Sequence, residues 1–102
     1  MTTIVEDNPG QHRFEIRVDG EVAGFAEYHL HESQAAFTHT EVAPAFGGQG
    51  LASTLIRAAL DQARQRGWQV EPFCPFVRAF IGKHPEYRDL VPAAQWARFG
   101  LS

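Results

Sequence analysis

The sequence predicts a single α/β domain in which a mixed sheet packs against one long crossover helix and one shorter helix. Three observations indicate this fold class. Apolar and polar residues alternate over the first half of the chain, as they do in strands, and the stretch 51–66 changes to the helical period. The stretch 68–73, which follows this helix, is typical of a fourth strand, and Pro72 and Pro75 mark its end. A chain of 102 residues has room for one hydrophobic core, so we expect one domain.

The chain begins with a polar segment, 1–11, that contains a Pro-Gly pair. We expect this segment to be a ragged lead-in and residues 12–102 to form the domain. Alternation then predicts an antiparallel meander of three strands, with a tight turn at Asp19-Gly20 between the first two. The three strands are expected over residues 12–18, 21–30 and 35–42.

The helix predicted over 51–66 is amphipathic and ends at Gly67, a natural terminator. Its apolar face comprises Leu51, Leu55, Ile56, Ala59, Leu60 and Ala63. Because a strand, a helix and a strand follow one another, a right-handed crossover makes the strands on either side of this helix parallel. A second helix is expected to begin at Pro75 and to end before Pro85. In the tail we expect only a short helix within 92–99.

The composition, with 44% hydrophobic and 21% charged residues, is typical of soluble globular proteins. A net charge of −3 argues against a dedicated nucleic-acid binder. No apolar run reaches the ~20 residues that span a bilayer, so we expect no membrane segment. One cysteine excludes internal disulfides and fits a reducing cytoplasm, where we expect the protein to work. The pair His29-x-His31 has no evident third ligand, so no metal site is expected.

The segment 42–52 is the most informative part of the chain. It reads Val-Ala-Pro-Ala-Phe-Gly-Gly-Gln-Gly-Leu-Ala, so a strand is followed by three glycines and the start of a helix. Glycine lets backbone N–H groups approach a ligand, and the first turn of a helix adds unpaired amides and the positive end of its dipole. The pattern predicts a site for phosphate or pyrophosphate. The alternative is an ordinary strand-to-helix connection that uses glycine.

The same segment resembles the coenzyme-A-binding loop of the GNAT acyltransferase superfamily, whose pattern is (Arg/Gln)-x-x-Gly-x-(Gly/Ala). Gly50, Leu51 and Ala52 match the last three positions of the pattern. Gly48 matches a glycine that is common inside it, whereas Gly47 stands where the pattern has Arg or Gln.

Two later stretches extend this resemblance, Phe-Cys-Pro-Phe at 73–76 and Lys-His-Pro-Glu-Tyr at 83–87. Together with the loop they resemble the very small, single-domain GNAT-like subfamily of about one hundred residues. The resemblance covers roughly residues 14–91, which is most of the chain. It implies a minimal GNAT-like fold: N-terminal antiparallel strands, a crossover helix, a splayed pair of parallel strands and a short second helix.

The resemblance also implies a cofactor, acetyl-CoA or coenzyme A, and an unidentified amine as acceptor, either a small molecule or a protein. The pantetheine arm would lie between the splayed strands, and the loop amides would hold the pyrophosphate. The implied cofactor contacts are Glu41, Val42, Ala43, Gly47, Gly48, Gln49, Gly50, Leu51, Ala52, Pro75, Phe76 and Phe80.

Cys74 and His39 are the candidate catalytic residues. A thiolate can attack a thioester to give an acyl-cysteine, and Cys74 directly precedes a helix whose dipole favours the thiolate. The resembled subfamily pairs a Thr-His-Thr strand with the later cysteine, which makes His39 the candidate base. Cys74 can also be a residue that lines the cofactor site or a buried small hydrophobe. The alternative for His39 is a half-exposed strand residue.

A direct transfer needs no nucleophilic cysteine, only a base for the amine and an acid for the leaving thiolate. Larger GNAT enzymes commonly place a tyrosine acid in the second helix, near the position that Ile81 occupies here. Tyr87 can replace that acid only if the chain folds back, and Glu41 is a candidate base beside the loop. Lys83 and Arg78 are either charge partners for the adenosine phosphate or solvated surface charges.

Three functions remain open: an acetyltransferase, a module that binds coenzyme A without turning it over, and a protein-interaction domain on the same fold. The residues Gly47 and Ile81 favour the binding module. The pair of Cys74 and His39 favours the enzyme.

Overall fold

The computed structural model describes residues 2–101 and shows a five-stranded mixed sheet with two helices on one face. In chain order the elements are β1 Thr3–Asn8, β2 Arg13–Val18, β3 Glu21–His31, β4 Gln34–Val42, α1 Leu51–Gln65, β5 Gln69–Pro72 and α2 Pro75–Lys83. Short 3-10 segments cover Pro9–Gln11, Pro44–Phe46, Pro85–Leu90 and Ala93–Gln95. The predicted α/β class, with a crossover helix and a shorter second helix, is confirmed.

The strands lie in the order β1-β2-β3-β4-β5, so each strand pairs with its neighbour in sequence. The first three pairs are antiparallel and the β4–β5 pair is parallel, as the crossover through α1 requires. Asp19 and Gly20 both have positive φ, 51° and 84°, which is the geometry of a tight hairpin turn. The predicted meander and the predicted parallel pair are therefore confirmed.

The N-terminal segment differs from the ragged lead-in expected for 1–11. Residues 3–8 form β1, which pairs along its whole length with β2, from Thr3 opposite Val18 to Asn8 opposite Arg13. The carboxylate of Asp7 also accepts hydrogen bonds from Tyr28 Oη at 2.6 Å and from Arg66 Nη1 at 2.7 Å. Backbone pairing and these contacts order a segment in which half of the side chains are exposed and half are partly buried. The polar sequence of the segment indicates neither the pairing nor the contacts.

Two irregularities change which side chains of the sheet face the helices. Between Ile16–Gly24 and Arg17–Val22 the register shifts, so Ala23 is an extra residue and is fully buried. Between Glu27–His39 and Tyr28–Phe37 it shifts again, and Thr38 is the extra residue of β4. A shift of one residue moves the following side chains to the other face of a sheet.

One hydrophobic core lies between the sheet and the helices. The helix α1 buries the six apolar residues predicted for it, and α2 buries Val77, Phe80 and Ile81. Phe14 and Phe37 are the largest fully buried side chains of the sheet, and their rings lie 6.3 Å apart. The tail packs back on this core through buried Tyr87, Leu90, Val91, Phe99 and Leu101. Within 92–99, where a short helix was expected, only the 3-10 turn Ala93–Gln95 forms.

The opposite face of the sheet, which we call the open face, has no helix on it within residues 2–101. The carboxylate of Glu15 is nonetheless buried there, 2% exposed, beneath Arg13 and Arg17. Burial alone would raise the pKa of Glu15, but hydrogen bonds from Arg13 and Asn8 and the charges of both arginines lower it overall. Across the described residues, no helix is long and apolar enough to cross a membrane.

Candidate functional site

The glycine loop adopts a backbone that other residues rarely adopt. Gly48 has φ of 79° and Gly50 has φ of 71°, both in the left-handed region that favours glycine. Gly50 is the N-cap of α1, and no side chain caps the helix there. The first turn of α1 contains no acidic residue. The amides of this turn are therefore free of side-chain acceptors and can bind an anion.

Gly47 differs from the other two loop glycines because its backbone does not need glycine. Its φ of −65° and ψ of 155° are open to any residue. A Cβ built on Gly47 would have the carbonyl oxygen of Pro44 as its nearest neighbour, at 3.4 Å, an ordinary contact. The side chain that the family pattern has at this position is missing here, but the space for it is present.

The parallel pairing of β4 with β5 stops halfway along β4. The last pair is Phe37 with Pro72, and β4 continues to Val42 with no strand beside this edge among residues 2–101. Pro72 cannot donate a backbone hydrogen bond, and the bulge at Thr38 bends β4 just past the last pair. The two strands therefore splay apart. The free edge over 38–42 can pair with the amides of a ligand, in the manner of an added strand.

Cys74 lies where the two strands separate. Its backbone N–H donates to Phe37 O at 2.8 Å, and its Sγ lies 3.3 Å from Thr40 Oγ1, an O–H···S or S–H···O contact. Cys74 is the N-cap of α2, it is a free thiol, and it is 4% exposed. The sulfur therefore has a hydroxyl as its polar neighbour and lies on the helix side of the sheet.

His39 lies on the other face of the sheet from Cys74. Neighbouring residues of a strand point to opposite faces, and Thr40 is the one that reaches the sulfur. The His39 ring instead lies 6.0 Å from the ring of Phe25 on the open face. Beside it, the hydroxyl of Thr38 lowers the pKa of Glu27, burial opposes this, and the charges of His29 and His39 add to the lowering. The structure thus does not bring His39 and Cys74 together as a contacting pair.

A pocket of about 110 Å³ lies between the first turn of α1 and α2. It is lined by Ser53, Phe76, Ala79, Phe80, Lys83 and His84. The rings of Phe80 and His84 lie 4.2 Å apart, tilted by 35°, and form one wall. The pocket adjoins the amides that follow Gly50, so a phosphate at these amides would have an aromatic wall and the Lys83 ammonium on one side.

Arg78, Tyr87 and Pro75 lie outside this pocket. The Arg78 guanidinium donates to the carbonyls of Pro72 and Phe73 at the end of β5, at 3.4 and 3.1 Å. Tyr87 does fold back, but its hydroxyl donates to Asp61 at 2.7 Å on α1. Burial, followed by this contact, raises the pKa of Tyr87. Pro75 occupies the first turn of α2, where its missing N–H costs no helical hydrogen bond.

The remaining predicted cofactor contacts of the loop lie around the start of α1. Leu51 is buried in the core, so only its amide can meet a ligand. Gln49 is exposed between the two left-handed glycines, and Ala52 is half-buried in the first turn of α1. The sequence-based reasoning missed Ser53, although a residue three positions after the cap glycine lies in the first helical turn by construction. Among residues 2–101, no group of three His, Cys, Asp or Glu side chains could hold a metal ion.

A comparison with known protein families finds a match over most of the chain. A family model described as a GCN5-related N-acetyl-transferase matches residues 13–90. The chain belongs to the GCN5-related N-acetyltransferase (GNAT) family. The family predicted from the glycine loop and the two later stretches is thus confirmed.

Solved structures of GNAT proteins share the fold. The chain is similar to a GCN5-like protein from Staphylococcus aureus, with a TM-score of 0.66, 21% identity and 87% of each chain covered. It is also similar to the ribosomal-protein-S18-alanine N-acetyltransferase from Escherichia coli, with a TM-score of 0.53 and 25% identity over 57% of this chain and 38% of that one. For the ribosomal-protein-alanine N-acetyltransferase from Brucella melitensis biovar Abortus 2308, the TM-score is 0.51, with 26% identity over 82% and 63%. No curated protein matches the sequence.

Proposed function

We propose that this GNAT protein transfers an acetyl group from acetyl-CoA to an amine and works in the cytoplasm, where its one free thiol stays reduced. The observation that carries the proposal is the splay of β4 and β5 beside the uncapped first turn of α1. The free edge of β4 offers backbone groups for the pantetheine amides, and the first turn of α1 offers N–H groups for the pyrophosphate, which supports the proposal.

The residues of the site fit coenzyme A in three parts. The amides of 48–52 would bind the pyrophosphate, whereas the Gly47 N–H already donates to Pro44 O at 3.1 Å. The backbone of 41–43 would pair with the pantetheine. The pocket of Phe76 and Phe80 would take the adenosine side, with Lys83 near its phosphate. Pro75, at the start of α2, would lie at the border of the cofactor site. The bound cofactor would supply an activated acetyl thioester.

Cys74 is proposed to accept the acetyl group. Its Sγ attacks the thioester carbonyl carbon, the bond from that carbon to the coenzyme sulfur breaks, and the Cys74 proton passes to the departing thiolate. Thr40 Oγ1, at 3.3 Å, can carry this proton. On the open face His39 would take a proton from the acceptor ammonium. The free amine would then pass through the gap between the splayed strands and attack the acyl-cysteine carbonyl, the bond to Sγ would break, and Sγ would take the second proton of the amine.

Incubation with acetyl-CoA is expected to leave an acetyl group on Cys74 that hydroxylamine removes. Intact-mass spectrometry with peptide mapping measures it. The Cys74→Ala variant is expected to bind coenzyme A as the parent does but to show no adduct, because the thiol is the acyl acceptor.

We expect the rate of amine acetylation to fall about a hundredfold or more when His39 is replaced with Gln, since a general base contributes on this order.

The same two variants distinguish the routes. If Cys74→Ala acetylates amines at the parental rate, the thiol lines the site and transfer is direct. A parental protein that binds no coenzyme A would overturn the assignment of the cofactor and with it the proposed function. Cys74→Ser is the matched control, because it removes the thiol but keeps a small polar side chain at this position.

A second candidate function is a module that binds coenzyme A without turnover, and Gly47 is the observation that favours it. The chain lacks the Arg or Gln side chain that would add a pyrophosphate ligand at this position. Such a protein would bind the coenzyme and yield neither an adduct on Cys74 nor an acetylated amine.

Replacement of Gly47 with arginine is expected to tighten coenzyme A binding about tenfold. The backbone of Gly47 accepts a side chain, and a charge-assisted hydrogen bond to a phosphate contributes about 1.5–3 kcal/mol before the ordering of the side chain is subtracted. Isothermal titration calorimetry measures the dissociation constant. Gly47→Ala is the matched control and should leave it unchanged. If the arginine variant binds no tighter than the alanine variant, the pyrophosphate does not lie over this loop.

A further inference from the structure

The register of β2, β3 and β4 places chemically distinct side chains in two rows on the open face. Arg13 pairs with Glu27, and Glu27 with His39. In the adjacent row Glu15 pairs with Phe25, and Phe25 with Glu41. Neighbouring strands lie about 4.8 Å apart, so each row crosses the face within about 10 Å. An arginine on β2 and a carboxylate on β4 thus flank the aromatic ring of β3.

Arg13 is held in a fixed position in which its terminal groups remain free. Its Nε donates to Glu15 Oε2 at 2.8 Å, and its guanidinium carbon lies 4.6 Å from the centre of the Phe25 ring. Glu27, opposite on β3, is engaged by Thr38 at 2.7 Å and by His29 at 3.6 Å. Within residues 2–101 the only side-chain hydrogen bond of Arg13 is the one through Nε, so Nη1 and Nη2 form none.

These free N–H groups border a cavity of about 520 Å³. The cavity is lined by Arg13, Phe25 and Glu41 and by two stretches of chain, 22–24 and 42–44. The stretch 42–44 overlaps the end of β4, whose edge is proposed above to pair with the pantetheine. The cavity therefore has a cation on one side, a carboxylate on another, an aromatic floor and a wall shared with the proposed cofactor site.

We propose that this cavity binds the acceptor and that the acceptor is an amine that also carries a carboxylate. Arg13 would bind the carboxylate through Nη1 and Nη2, because a guanidinium fork matches a carboxylate in shape and charge. Glu41 would attract the ammonium end and place it near His39, whose ring lies beside Phe25. The inference rests on the proposed function only in that the bound amine is acetylated; the binding of the acceptor in this cavity is independent of that function.

Two probes that differ only in the carboxylate test this: 5-aminopentanoate and pentylamine. Each is titrated into the ¹⁵N-labelled protein saturated with coenzyme A, and amide shifts are followed by NMR. We expect 5-aminopentanoate to shift the amides around Arg13, Phe25 and Glu41 and to bind about tenfold or more tightly than pentylamine, because a hydrogen-bonded charge contributes on this order. Equal affinity for both probes, or shifts elsewhere only, overturns the inference.

Arg13→Gln is expected to abolish the preference for 5-aminopentanoate. Arg17→Gln is the matched control, because Arg17 also binds Glu15, at 3.1 Å, but does not line the cavity. The control should keep the preference, and the same spectra report whether each variant is folded. A preference that survives in Arg13→Gln overturns the inference.

A parallel assay with acetyl-CoA tests the proposed function separately. Carboxylate-dependent binding without acetylation supports the cavity and contradicts the acetyltransferase. Acetylation of both probes at equal rates and with equal affinity supports the acetyltransferase and overturns the cavity.

Discussion

Replacement of Gly24 with alanine is expected to lower the free energy of unfolding by about 3 kcal/mol, because β4 passes so close to this residue that no side chain fits. A Cβ on Gly24 would lie 2.5 Å from the carbonyl oxygen of Glu41 and 3.1 Å from Cγ2 of Val42. The first contact is with backbone, so β3 and β4 would have to move apart. For a domain of this size the melting temperature should fall by roughly 10–20 °C. Urea unfolding followed by circular dichroism measures the change.

Gly82 provides the control. It lies exposed in α2, and a Cβ there meets nothing within 4 Å. Gly82→Ala should therefore raise the free energy of unfolding by about 0.5–1 kcal/mol, since alanine restricts the unfolded chain more than glycine does. Equal unfolding midpoints for Gly24→Ala and the parent would contradict the close approach of Glu41 O to this position.

Replacement of Ser53 with glutamate is expected to weaken coenzyme A binding about a hundredfold while the fold becomes slightly more stable. A carboxylate in the first turn of α1 interacts favourably with the helix dipole, by about 0.3–1 kcal/mol. The same carboxylate would lie beside the bound pyrophosphate, where like charges about 4 Å apart repel by ~4 kcal/mol at an effective dielectric of 20. Calorimetry gives the dissociation constant, and thermal unfolding gives the stability.

Ser53→Gln keeps the size of the new side chain and removes its charge. It should bind coenzyme A within about threefold of the parent, and the loss in Ser53→Glu should shrink at high salt because screening weakens the repulsion. If glutamate at this position leaves the affinity unchanged, the first turn of α1 does not hold the pyrophosphate, and the anion site predicted from the glycines is wrong.

The loop and the helix were predictable because their determinants are local. Gly48 and Gly50 adopt positive φ because glycine tolerates it wherever it stands in a fold. The apolar residues of α1 recur at the helical period within one continuous segment. Pro72 and Pro75 mark the end of β5 and the start of α2 for similar reasons. The segment 3–8 was mistaken for a lead-in because its order comes from backbone pairing with β2 and from contacts of Asp7 with Tyr28 and Arg66, which are distant in sequence.

The position of His39 could not be predicted, and Thr38 is the reason. In an unbroken strand Ala35, Phe37 and His39 would point to one face, which would place the imidazole on the side of Cys74. The bulge at Thr38 moves His39 to the open face and gives Thr40 the place beside the sulfur. A bulge depends on how two strands meet, and the alternation within one strand carries no sign of it.

The sequence by itself therefore determined the fold class, the family, the glycine loop and the helix that begins at Leu51. The fold class, the loop and the helix rest on the conformational preference of single residues or on a period within one segment, and the family rests on the resemblance of 47–52, 73–76 and 83–87 to GNAT motifs. Only the tertiary structure decided that Cys74 meets Thr40, that His39 joins Phe25, and that Arg13 and Glu41 border one cavity. These contacts depend on register between strands that are distant in sequence, and register is set by backbone pairing across the whole sheet.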